Sequence, residues 1–149
     1  MQGQNLLRNV AIDRVLIDTA AGQAATASDI LDMQNYEGVV FIAKLGDVTA
    51  ASVVTLQAQQ DELNGAGGMA TLAGSVTYTA TGAADADDDL LILDVYRPQK
   101  RYVRALLTSA TQDAVKNGVI AIRYGARKVP ITQGTTVLDS DTLLSPAEA

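Results

Sequence analysis

Apolar residues recur along this chain mostly at every second position and in short runs. That is the spacing of half-buried strands rather than helices. Val10 to Ile17 reads as a strand. Ala20 to Ala27 is small and polar and reads as a loop. Asp29 to Met33 reads as a short strand, with a single helical turn begun by Ser28 as the alternative. Val39 to Leu45 is the clearest strand. Val39, Phe41, Ala43 and Leu45 share one face, and Val40, Ile42 and Lys44 the other. Both faces are largely apolar, as suits a central strand. Ser52 to Gln59 alternates as a half-buried strand does, with Val54, Leu56 and Ala58 on its apolar face.

Asn64 to Gly68 is a Gly-rich loop without Walker or dinucleotide spacing, and a strand rather than a helix follows it. Ser75 to Thr81 is a Thr-rich strand and Asp85 to Asp89 an acidic loop. The segment Asp89 to Thr108 then places two apolar runs around Arg97-Pro98-Gln99-Lys100-Arg101. The pattern predicts two antiparallel strands joined by a tight connection, with Pro98 at the bend. Thr111 to Asn117 reads as a polar connection and Gly118 to Tyr124 as another strand. About seven or eight short strands and no sustained helical period define an all-β chain, a single-domain β-sandwich or jelly roll over residues 1–149. Residues 1–9 and 131–149 read as extended N- and C-terminal arms, the second with room for one short edge strand.

Composition narrows the chemistry. The chain has 149 residues, enough to bury a core without staples. The hydrophobic fraction is 48%, but much of it is Ala, so large apolar groups are fewer than that figure implies. Cys and His are absent, which removes disulfides, thiolate metal sites and His-based triads. Paired-carboxylate and lysine chemistry remain open. No two Asp stand out as an acid pair. Lys44, within an apolar strand, is the one candidate for a desolvated lysine, against the plainer reading of a side chain reaching out from a strand edge. The acidic loop Asp85 to Asp89 lacks the Gly and terminal Glu of an EF-hand, and reads as a solvated turn rather than a Ca²⁺ site. No catalytic constellation, cofactor or metal site is expected.

The net charge of −6 argues against wrapping by nucleic acid. No apolar run approaches a membrane span, and the first residues lack a signal-peptide pattern, so a soluble protein made in a cytoplasm is expected. Against this acidic background Arg97, Lys100, Arg101 and Arg104 form a basic knob flanked by Tyr96 and Tyr102, and Arg127 and Lys128 form a second basic spot. Two readings stand: docking on an acidic partner, or internal pairing, with Asp94 placed to cross the connection to one of the arginines. Tyr and Arg are favoured interface residues, so these eight residues are the candidate contact set. Two-sided apolar strands also suggest that another copy of the chain covers some hydrophobic area.

The order of LDMQNYEGVVFIAKLG (Leu31 to Gly46), VVTLQAQQD (Val53 to Asp61), LLILDVYRPQKRYVRALLT (Leu90 to Thr108), AIRYGARKVP (Ala121 to Pro130) and SPAEA (Ser145 to Ala149) resembles tailed-bacteriophage virion proteins of the capsid decoration, or cement, family. The resemblance implies a β-rich protein on the exterior of a capsid, bound to the major capsid protein. It implies a homotrimer with no enzymatic activity and no cofactor. The alternatives are a head-to-tail or tail component, or a carbohydrate-binding jelly roll on the virion surface. The absence of Trp argues against the last.

Overall fold

Alternation of apolar and polar residues builds long strands that each offer one face to a common interior. The computed structural model describes residues 5–143. It is a β-sandwich of two antiparallel sheets. The first contains β1 (Ala11–Leu16), β2 (Thr19–Gly22), β5 (Gly38–Val48), β9 (Leu90–Tyr96) and β11 (Ala114–Tyr124). Its order is β1-β11-β5-β9, with β2 also on β11. The second contains β3 (Ala25–Ala27), β4 (Leu31–Asp32), β6 (Val53–Asp61), β7 (Ala70–Thr71), β8 (Val76–Thr79) and β10 (Tyr102–Ala110). Here β10 and β6 form the centre, with β3 and β4 beside β10, and β7 and β8 beside β6.

One hydrophobic core joins the sheets. Val39, Phe41, Ala43 and Leu45 of β5 face it, as their alternation predicts, and so do Val54, Leu56 and Ala58 of β6 and Val103, Ala105 and Leu107 of β10. β5 is central, between β11 and β9. Its second face is not buried to the same degree: Val40 and Ile42 are half-buried and Lys44 is exposed.

Several expectations are corrected. The strands around Arg97–Arg101 are not a hairpin. β9 pairs with β5 in one sheet and β10 pairs with β6 in the other, so the connection arches across the sandwich. A short connection suits a hairpin or an arch equally well, and alternation specifies a strand's buried face without naming its partner. Ala20 to Ala27 is not a loop. It supplies β2, which pairs with β11, and β3, which pairs with β10. Its small side chains carry no apolar signal, and backbone pairing with neighbouring strands defines it instead. The expected polar connection Thr111 to Asn117 shortens to three residues, because β11 already begins at Ala114. Of the expected short strand Asp29 to Met33, Leu31–Asp32 is a strand, paired with β10.

The terminal segments pack on the body. Leu6–Asn9 forms one helical turn, and Val10 N bonds Leu6 O at 3.1 Å. Residues 131–143 form no strand. They run beside β1, where Gln133 Oε1 accepts from Ile12 N at 2.9 Å and Thr136 Oγ1 from Arg14 N at 3.1 Å. Residues 1–4 of the expected N-terminal arm and 144–149 of the C-terminal arm, including Ser145 to Ala149, lie outside the described residues.

Candidate interface at the tyrosine–arginine pole

The strand directions gather one end of the sandwich from four places in the chain. β9 ends there at Tyr96, β10 begins at Tyr102, β11 ends at Tyr124, and Asp32 to Gly38 links β4 to β5. Four of the five tyrosines, Tyr36, Tyr96, Tyr102 and Tyr124, therefore collect at one pole.

The arginines are set by pairs that join these elements. Arg97 has φ +53, a left-handed conformation uncommon for a residue with a side chain. Its N–H donates to Glu37 O at 2.8 Å, and its Nε and Nη2 donate to Glu37 Oε1 at 3.1 and 2.9 Å. The guanidinium lies 5.0 Å from the centre of the Tyr96 ring. Arg101 bonds both carboxylate oxygens of Asp32, Nε to Oδ1 at 2.9 Å and Nη2 to Oδ2 at 2.7 Å, and Nη2 also donates to Gln34 Oε1 at 2.7 Å. It lies 5.1 Å from the Tyr102 ring centre. These hydrogen bonds from Arg101 hold the Asp32 carboxyl below its ordinary range, against the opposing effect of burial.

Behind them sits Arg123, which sequence reading passed over. Nη1 donates to Asp32 O at 2.9 Å and Nη2 to Asp13 Oδ2 at 2.8 Å, and the guanidinium lies 4.6 Å from the Tyr36 ring centre. Asp32 thus ties two arginines together, one through its carboxylate and one through its carbonyl. Tyr124 OH donates to Asp94 Oδ1 at 2.7 Å. Burial, then this bond to a carboxylate, raises the Tyr124 pKa far above the ordinary value. A Cβ on Gly38 would collide with the Tyr124 ring, which would have to shift.

Asp94 consequently does not cross to an arginine of the arch, as the sequence suggested. The partners are Glu37 and Asp32, which lie far away in sequence. Internal pairing and outward presentation coexist. The Arg97 and Arg101 side chains remain 69% and 46% exposed within their ion pairs.

The two basic spots meet. Arg97, Lys100, Arg101 and Arg127 line one open cleft of about 630 Å³ together with Tyr36 and Met33. An adjoining cleft is lined by Arg123, Arg127 and Lys128. Asn35 makes the junction. Its carbonyl accepts from Arg127 N at 2.9 Å and its Oδ1 from Lys128 N at 3.0 Å, while its Nδ2 donates to Lys128 O at 3.3 Å. No local pattern marks Asn35 for that role. Lys100, Arg127 and Lys128 have no ion-pair partner among the described residues.

Arg104 does not join the cleft. It lies on β10 opposite Gln59, and its Nε donates to Gln59 Oε1 at 2.7 Å. Tyr102 is half-buried and Tyr96 exposed.

The other chemical candidates resolve plainly. Lys44 is exposed and pairs with Asp88 at 2.9 Å. The buried lysine is instead Lys116, with 2% of its surface exposed. In the acidic loop Asp85 accepts from Tyr78 OH, Thr81 N and Thr81 Oγ1, Asp87 accepts from Val48 N, and Asp88 from Lys44. These carboxylates tie the loop to β5 and to the end of β8. No cluster of His, Cys, Asp and Glu able to hold a metal occurs among the described residues.

Fold and site together define a β-sandwich with a cation-rich pole. No family model matches the sequence, and no curated protein matches it. Among solved structures the chain is similar to one from the disulfide-linked pili of Bacillus endospore appendages. The TM-score is 0.42 and the identity 18%, over 82% of this chain and 90% of that one. At that level the likeness carries no argument.

Proposed function

We propose that this chain is a structural protein of a tailed-bacteriophage virion, a head decoration protein that docks on the major capsid protein from outside and reinforces capsomer contacts. The reading rests on the ordered resemblance described above and has no catalytic step. The observation that supports it most is the convergence of Arg97, Lys100, Arg101, Arg127 and Lys128 on two adjoining open clefts, both lined by Tyr36, of an otherwise acidic protein. Tyr and Arg dominate binding hot spots because they combine large contact area with directed hydrogen bonds. Unpaired cations at the rim would steer an acidic capsid patch into register. Display as a homotrimer would multiply weak single contacts into firm attachment.

Co-sedimentation of the purified protein with capsids lacking it tests the proposal. Saturation in proportion to capsomers, with a shell more resistant to heat, is the expected result. Saturation at a few copies would place the protein at the neck or tail, and no binding would remove the virion reading.

A further inference from the structure

The ends of the two sheets are not equally protected. β1, at one end of the first sheet, is covered by Gln133 and Thr136 of the tail. In the second sheet the flanking strands β3, β4, β7 and β8 are two to four residues long. β9 is different. It is seven residues long, lies at the end of its sheet and pairs only with β5.

The direction of its free backbone groups follows from the ladder. Leu45 N bonds Asp89 O, and Arg97 N bonds Glu37 O. Between these two points the register with β5 is unbroken. In an antiparallel ladder alternate residues bond to the same neighbour, so residues 91, 93 and 95 bond to β5. The N–H and C=O groups of Leu90, Ile92, Asp94 and Tyr96 therefore point away from the sheet. They find no partner among the described residues. Three of these residues also expose apolar side chains: Leu90 and Ile92 at 53%, Tyr96 at 58%. Proteins usually guard such an edge with Pro, Lys, a bulge or a covering segment. Along its length β9 carries one charged side chain, Asp94, bonded by Tyr124 OH, and among the described residues no Pro, Lys or bulge.

The charges flanking β9 identify what fits it. Asp85, Asp87, Asp88 and Asp89 precede the strand, and Arg97, Lys100 and Arg101 follow it. A strand laid antiparallel with the same flanks would set each acidic run beside a basic run. Parallel pairing would set acid against acid. The apolar pattern agrees. On the outer face Ile92 lies opposite Ile42, and Ile42 opposite Ile120. A two-fold axis at Ile92 extends this isoleucine row into the partner and pairs Leu90 with Asp94. It also keeps the outward backbone groups of Leu90, Ile92 and Asp94 opposite one another, while Tyr96 falls beyond the paired span.

We propose that β9 is an interface strand, pairing antiparallel with β9 of a second copy of this chain to make one continuous sheet across a two-fold axis. This contact shares Arg97, Lys100 and Arg101 with the docking pole, but Ile92, at its centre, lines neither cleft of that pole. A trimer uses heterologous contacts, whereas this one is isologous and yields assemblies in which copies occur in pairs.

Ile92→Pro provides the test. The Ile92 N–H takes no part in bonding to β5, so the substitution removes a donor only from the proposed contact. Ile92→Lys, which leaves the backbone intact and guards the edge with charge, is the companion variant. Sedimentation velocity should give the unaltered chain at twice its monomer mass, or as a larger even assembly. Both variants should halve that mass with circular dichroism unchanged. A monomer, a trimer, or an assembly that folded Ile92→Lys leaves intact would overturn the proposal. Capsid co-sedimentation is read separately, so loss of the β9 contact leaves the docking reading standing or falling on its own result.

Discussion

Asp32 shows how much one side chain organises. It lies on two-residue β4, accepts two bonds from Arg101, and turns its carbonyl to Arg123. Because Arg101 lowers its pKa, the folded state holds the ionised form more strongly than the unfolded chain does. The associated stability is fully present above the ordinary Asp value of 3.8. It disappears as pH falls through the lowered folded value, where the folded carboxylate also takes up its proton. Asp32→Asn should therefore be less stable than the unaltered chain at neutral pH. The gap should close in acid, as read from urea midpoints across the range. A gap independent of pH would show that the bond geometry, not the charge, carries the effect. Lys116 is the opposite case. Its ammonium donates to Ala24 O at 2.7 Å and Thr26 Oγ1 at 3.3 Å, and desolvation lowers its pKa. It lies in the stretch Thr111 to Asn117 that reads as polar connection, where nothing local signals burial.

Elements in this fold are shaped as much by their irregularities as by their alternation. β11 shifts register against β5 between Lys116 and Val119. Gly118 sits in that shift with φ +95, where a Cβ would stand 2.7 Å from Leu16 O. Gly118→Ala should cost more than about 1 kcal/mol, because the residue meets both a disfavoured φ and a backbone atom. Ala51, in the arch from β5 to β6, is the converse. It is exposed, with φ +68, and its N–H bonds Ala80 O at 2.8 Å. Ala51→Gly should raise stability by up to about 1 kcal/mol, relieving the left-handed penalty net of glycine's entropy. Opposite signs in chemical denaturation would confirm that both positions are set by backbone conformation. The Arg97 arch belongs to the same group of left-handed corners, with the difference that its side chain is held by Glu37 and faces the cleft.

On the scale of the whole molecule, charge is separated along the strands. The acidic turn at Asp85–Asp89 lies at the start of β9 and the tyrosine–arginine pole at its end. The cations of that pole divide by what holds them. Arg97 and Arg101 are committed to carboxylates, while Lys100 and Arg127 are not. Replacing Lys100 and Arg127 together by Glu should change stability by no more than ~0.5 kcal/mol, as surface substitutions do. If the pole docks on capsid, the same double variant should lower capsid affinity by roughly tenfold or more and weaken the salt dependence of binding. Unchanged capsid binding by the folded variant would exclude the pole as the docking surface.

What the chain determined by itself is the alternation of β5 and β6 and the all-β class that follows from it. The alternation of Val39, Phe41, Ala43 and Leu45, or of Val54, Leu56 and Ala58, is a local property with one physical solution, a side buried against another sheet. The basic segment Arg97–Arg101 was equally plain, since charge density needs no partner to be seen. Only the tertiary structure decided which strands are neighbours. β9 and β10 part to opposite sheets, pairing with β5 and β6, and period two is silent about partners. It also turned the small residues of Ala20 to Ala27 into strands and buried Lys116. Through Asn35, it brought Arg127 and Lys128 beside an arch far from them in sequence. Each of these depends on hydrogen bonds between segments distant in the chain, whose donors and acceptors are the same in every residue and leave no mark in the order of side chains.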